Sequence, residues 1–102
     1  MNVPNDYKEF RRQLQLESPP DLWPEALKAL WWDAKGCWEI SHEIAQDLPS
    51  ETGSWIHAYL HRKEGDEWNA GYWYRRAKKP FPEESLDREA ESIISWIIEK
   101  GQ

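Results

Sequence analysis

The residues best suited to chemistry lie in the run Trp55-Ile-His-Ala-Tyr-Leu-His-Arg-Lys-Glu64. His57 and His61 have the spacing that, on a helix, sets both imidazoles on one face within reach of a single metal ion. Glu64, one turn further on, can add an oxygen ligand. The pattern departs from that of a metalloprotease helix, because Ala58 stands where His-Glu-x-x-His carries its general base. The same histidines with Arg62 can instead form an acid–base site, histidine being the usual proton carrier near neutral pH. Asp33 and His42 can join either arrangement only through tertiary contact. Histidines at such positions more commonly serve as surface or inter-helix hydrogen-bonding groups, so spacing alone assigns no metal ligand, no cofactor and no catalytic residue.

Two other groups are binding candidates. Gly36 and Gly65 are 29 residues apart, and that offset makes Lys28, Trp32 and Lys35 equivalent to His57, His61 and Glu64. If successive helix pairs stack, the two polar faces form one strip with Trp32 as its anchor, since buried tryptophans dominate many interfaces. The alternative places Trp32 beneath the opening helix. The second group is Trp68, Tyr72, Arg75 and Arg76, followed by Lys78-Lys79. Arginines beside aromatic faces suit phosphates, carboxylates and stacked bases, although such arginines more often belong to a solvated face, here one pairing with Glu67, Glu83 or Glu84. The chain has no Gly-rich phosphate loop, no Gly-x-Ser-x-Gly elbow and no acid pair fixed by a local motif.

The chain of 102 residues is long enough for one domain. Eight Trp, four Tyr and two Phe supply its core, and charged residues reach 31%. Nineteen acids against thirteen bases give a net charge of −6, which argues against generic affinity for duplex nucleic acid. No recognisable RNA-binding motif offsets that charge. The stretch Ile93-Ile94-Ser95-Trp96-Ile97-Ile98 is far too short to cross a bilayer. Met1 to Arg12 holds no apolar run of the kind a secretory signal needs, so no membrane association and a cytoplasmic location are expected. Cys37 is the single cysteine; it permits no internal disulfide and no cysteine-based zinc site within one chain. It reads as a small residue in a helix's first turn.

Turn chemistry and periodicity predict an all-α fold. An amphipathic opening segment, Pro4 to Leu16, ends before Pro19-Pro20. Asp21 is expected to cap a helix with Pro24 in its first turn, running to Lys35 and stopping at Gly36. A third helix spans about Cys37 to Leu48. Ser50 caps a fourth that ends at Gly65, Asp66 caps a fifth ending near Lys79, and the last runs from Glu83–Ser85 to Lys100, with Gly101 as terminator. Apolar arcs gather Ala26, Leu27, Leu30, Trp31 and Ala34; then Trp38, Ile40, Ser41, Ile44, Ala45 and Leu48. Further arcs hold Trp55, Ile56, Tyr59 and Leu60; Ala70, Trp73, Tyr74 and Ala77; and Leu86, Ala90, Ile93, Ile94, Ile97 and Ile98. The last helix is expected to cap the open end of the stack, and Trp96, at the edge of its stripe, can support a homodimer; otherwise the chain is a monomer.

Glu64-Gly-Asp-Glu-Trp-Asn-Ala-Gly-Tyr-Trp-Tyr-Arg-Arg-Ala77 resembles the second helix of tetratricopeptide and Sel1-like repeats, through Gly65, Asp66, Ala70, Tyr74 and Ala77. Residues 36–49 resemble a degraded copy, with Gly36, Ser41, Ala45 and Leu48. Residues 22–80 are also similar to a family of small, uncharacterised, mainly bacterial proteins. The repeat resemblance implies two tandem antiparallel helical hairpins in residues 21–80, preceded by an N-terminal helix and linker in 1–20 and closed by a capping helix in 81–102. It also implies a scaffold that holds a peptide or a partner protein in a groove. Two registers are open for the fourth helix. Aligning the glycines puts His57 and His61 where large packing residues belong; aligning the apolar arcs turns them away from the core. Burial sets register more strongly than a loop glycine, so the arcs are preferred. The expected function is a non-catalytic protein- or peptide-binding module. The alternative is a small-ligand or metal-binding protein, with an enzyme among its forms, using His57, His61 and Arg62.

Overall fold

The helix boundaries follow from side chains that satisfy the exposed backbone groups at each end. In the computed structural model, which describes residues 3–100, six helices appear: α1 (Tyr7–Arg12), α2 (Glu25–Ala34), α3 (Trp38–Gln46), α4 (Glu51–Lys63), α5 (Glu67–Arg76) and α6 (Leu86–Lys100). A 3₁₀ turn, Gln13–Gln15, continues α1, and the described residues contain no strand. Asp6 accepts from the Glu9 N–H, Ser50 from Gly53, Asp66 from Asn69 and Ser85 from Arg88. The expected caps at Ser50 and Asp66 are therefore present. Asp21 is not a cap. Pro24 is itself the N-cap of α2, with ψ at 145°. The residue before a proline avoids helical backbone, and Trp23 uses the resulting turn to bury its ring beside Phe10, 6.0 Å away.

Gly36 and Gly65 lie between helices, with φ of 87° and 91°. At each, the glycine N–H and the next N–H return to carbonyls of the preceding helix: Gly36 to Asp33 and Cys37 to Trp32, Gly65 to Arg62 and Asp66 to His61. Glycine suits this left-handed position because it has no Cβ to clash. The same pair of bonds, from the Lys78 and Lys79 N–H groups to the Arg75 and Tyr74 carbonyls, follows α5, which ends at Arg76, ahead of the expected Lys79; Lys78 takes φ 60°. The expected terminator Gly101 lies outside the described residues.

Among the larger helix contacts, α2 lies against α3, α4 against α5, α3 against α4, and α6 covers both α4 and α2. Ser41 donates to the Ala29 carbonyl at 2.6 Å, a close approach that small residues on α2 and α3 allow. Gly53 performs a similar task at the start of α4, where a Cβ would stand 2.5 Å from the Leu48 carbonyl oxygen. Phe10, Leu27, Leu30, Trp31, Ile56, Leu60, Ile93 and Ile97 form the sealed core. Two members of the expected arcs fall outside it: Ala34 and Ile40 are exposed. Asp33 is buried in their place. No helix among the described residues is long and apolar enough to cross a membrane.

Candidate metal centre

The packing makes α4 the central helix, in contact with α2, α3, α5 and α6. Residues Ile56, His57, Ala58, Tyr59 and Leu60 are buried in unbroken succession. A helix enclosed on several sides has no free polar face, and this overturns the register in which His57 and His61 point away from the core. His57 is 6% exposed, buried although it lies off the apolar arc.

What lies against that face is α3. With Ser41 turned onto α2, its neighbour His42 is directed toward α4, and its Nε2 stands 2.9 Å from the Nε2 of His57. Trp38, one turn earlier, stacks on His42 at 4.8 Å and donates its indole N–H to the Leu60 carbonyl, which fixes the ring. From the other side Trp73 of α5 stacks on His57 at 4.0 Å. His61 also stacks on His57, at 4.9 Å, and its Nδ1 meets Oε2 of Glu64 at 2.7 Å. His42, His57 and His61 each offer a nitrogen within 4.8 Å of the others. Nitrogens bound tetrahedrally to one zinc ion at about 2.0–2.1 Å lie roughly 3.3 Å apart, close to the 2.9 Å between His42 and His57 and inside the 4.8 Å limit that holds for all three.

The electrostatics favour uncharged rings. Burial, then the neighbouring His42 and His61, lower the His57 pKa from 6.5 to about 4. Burial and His61 lower His42 as well, against the opposing pull of Glu64 and Glu43. The neutral imidazole is the form that binds a metal. Glu64, expected as a third ligand, pairs with Nδ1 of His61 instead, and carboxylates commonly orient metal-binding histidines in this way. His42 takes the third position. In the sequence its only signal is its place beside Ser41, on the flank of α3's apolar arc, and nothing there identifies α4 as the neighbour.

The remaining candidates are placed elsewhere. Asp33 accepts from the Tyr59 hydroxyl at 2.8 Å and from Lys63 at 2.9 Å. Arg62 donates to Glu89 and to the Glu84 carbonyl. Lys28 pairs with Glu25, while Lys35 reaches back to the Leu14 carbonyl. Trp32 is half-buried against the main core, edge-on to Trp31. The strip expected from the 29-residue offset is not formed, because α3 covers the histidine face of α4 and Lys35 is turned toward the opening segment. On α5, Trp68 is 79% exposed and Tyr72 is 40% exposed. Arg76 lies over the rings of Tyr72 and Trp73 rather than against Glu67, Glu83 or Glu84. Arg75, Arg76, Lys78 and Trp73 line a groove of about 690 Å³ that continues to Leu48 and Pro49. Compared with family models, curated proteins and solved structures, the chain has no match.

Proposed function

We propose that this protein binds a divalent transition-metal ion on His42, His57 and His61. The observation that carries the reading is that three imidazole nitrogens from two helices lie within 4.8 Å of one another. A hydrogen bond between His42 and His57 accounts for two of the rings. His61 joins them through its four-residue spacing from His57 on α4, with its Nδ1 held by Glu64. Imidazole donors suit zinc, copper, nickel and iron, and zinc tolerates the irregular geometry best because it has no d-electron preference. Calorimetric titration of zinc into chelator-treated protein is expected to show one ion per chain. Glu64→Gln should weaken binding about 10- to 100-fold through the loss of His61 orientation, and His42→Gln should abolish the stoichiometric phase. Equal, weak binding by the wild type and His42→Gln would overturn the reading.

A second reading, the protein- or peptide-binding module, is favoured by the exposed Trp68 and, separately, by the groove lined by Arg75, Arg76 and Lys78, where Glu51 pairs with Lys78. In this reading α2–α3 and α4–α5 are two hairpins of the tetratricopeptide kind, each turning at a glycine. The groove's cations select an acidic peptide. Titration with acidic peptides should show binding that is lost in an Arg75→Glu, Arg76→Glu double variant; indifference to those substitutions counts against it.

A further inference from the structure

The three imidazoles do not complete a zinc ion's coordination. Structural zinc sites close with four protein ligands, whereas sites that act on an external molecule keep a position free. Among the described residues, no fourth His, Cys, Asp or Glu joins His42, His57 and His61 within the same span. The two nearby carboxylates on the Glu64 side have other partners. Glu64 is held on His61 Nδ1, and Asp66 accepts from both the backbone and the side-chain amide of Asn69.

We infer that the centre is open: three histidines hold the ion, and its remaining position takes a water molecule that a small monodentate anion, such as azide or acetate, can displace. This rests on the metal-binding reading above. Imidazoles bind as uncharged ligands, so the ion's two positive charges stay uncancelled within its ligand shell and favour an anionic fourth partner. The three rings differ in exposure. Trp73 covers His57, which is 6% exposed, whereas the side chain of His61 is 12% exposed and His42 is half-buried. With Trp38 stacked on His42 as well, the approach suits a ligand of few atoms.

Cobalt(II) substitution separates the two claims, because its visible bands report coordination directly. The wild-type protein loaded with cobalt is expected to show bands that shift on addition of azide and saturate at one azide per metal. Acetate should compete for the same position. Tight cobalt binding with a spectrum that azide leaves unmoved means a closed site, which overturns this inference and leaves metal binding standing. Failure to bind cobalt or zinc at all overturns both.

Discussion

Glu89→Ala is expected to destabilise the protein by about 3–5 kcal/mol, the usual cost of stripping one partner from a buried ion pair. Glu89 is 1% exposed although it lies on an otherwise isoleucine-rich helix. Its Oε1 accepts from Arg62 at 2.8 Å, and its Oε2 accepts from the Tyr74 hydroxyl at 2.6 Å and the Trp55 indole at 3.1 Å. One carboxylate thereby joins α4, α5 and α6. Burial, then Glu89 itself, raise the Tyr74 pKa far above its ordinary value, so the phenol stays a donor. Alanine leaves that hydroxyl, the indole N–H and a largely buried guanidinium without their acceptor, and each unmet buried donor adds a desolvation cost. Glu89→Gln keeps an acceptor oxygen in place and should lose less. Urea unfolding followed by circular dichroism measures both variants; a Glu89→Ala midpoint close to the wild type would show that the network contributes little.

The features legible in the sequence are those set within one helix and its ends. Gly36 and Gly65 mark left-handed stops because the requirement is local, and Ser50 and Asp66 mark starts for the same reason. The apolar arcs identify most of the core. What the sequence conceals depends on which helix touches which. Glu89 reads as part of a solvated face until Arg62, Tyr74 and Trp55 are brought to it, and Asp33 takes a core position because Tyr59 and Lys63 satisfy it. Periodicity misplaces His57 for a related reason. An apolar arc finds the buried face of a helix with one neighbour, whereas α4 has neighbours on several sides and hides polar residues wherever a partner can answer them. The resulting site was half visible: the spacing of His57, His61 and Glu64 is local, while His42, Trp38 and Trp73 arrive through tertiary packing.

That packing gives the metal-free protein a pH dependence of defined sign. His57 has a pKa of about 4 in the folded protein, against an ordinary 6.5. Between those values the unfolded chain binds a proton that the folded protein refuses, so stability rises with pH across the interval. The contribution is complete above 6.5 and is lost progressively as the pH falls toward 4. At about 1.4 kcal/mol per pH unit the loss amounts to at most about 3.5 kcal/mol. His42, facing from α3 and also lowered, acts in the same direction, while Glu64 and Glu43 oppose its shift; Trp73 on the remaining side carries no charge. Asp66, lowered by its bonds to Asn69 from a usual 3.8, exerts its effect below this window. Urea unfolding in the presence of a chelator should therefore show midpoints that fall steeply from neutral to acid conditions. His57→Phe, which keeps a flat ring against Trp73 but cannot take a proton, should flatten most of that fall. An unchanged slope in His57→Phe would place the acid sensitivity outside the cluster. Because protons and metal compete for the same nitrogens, saturating zinc should move the onset of acid unfolding to lower pH in the wild type and leave His57→Phe where it was.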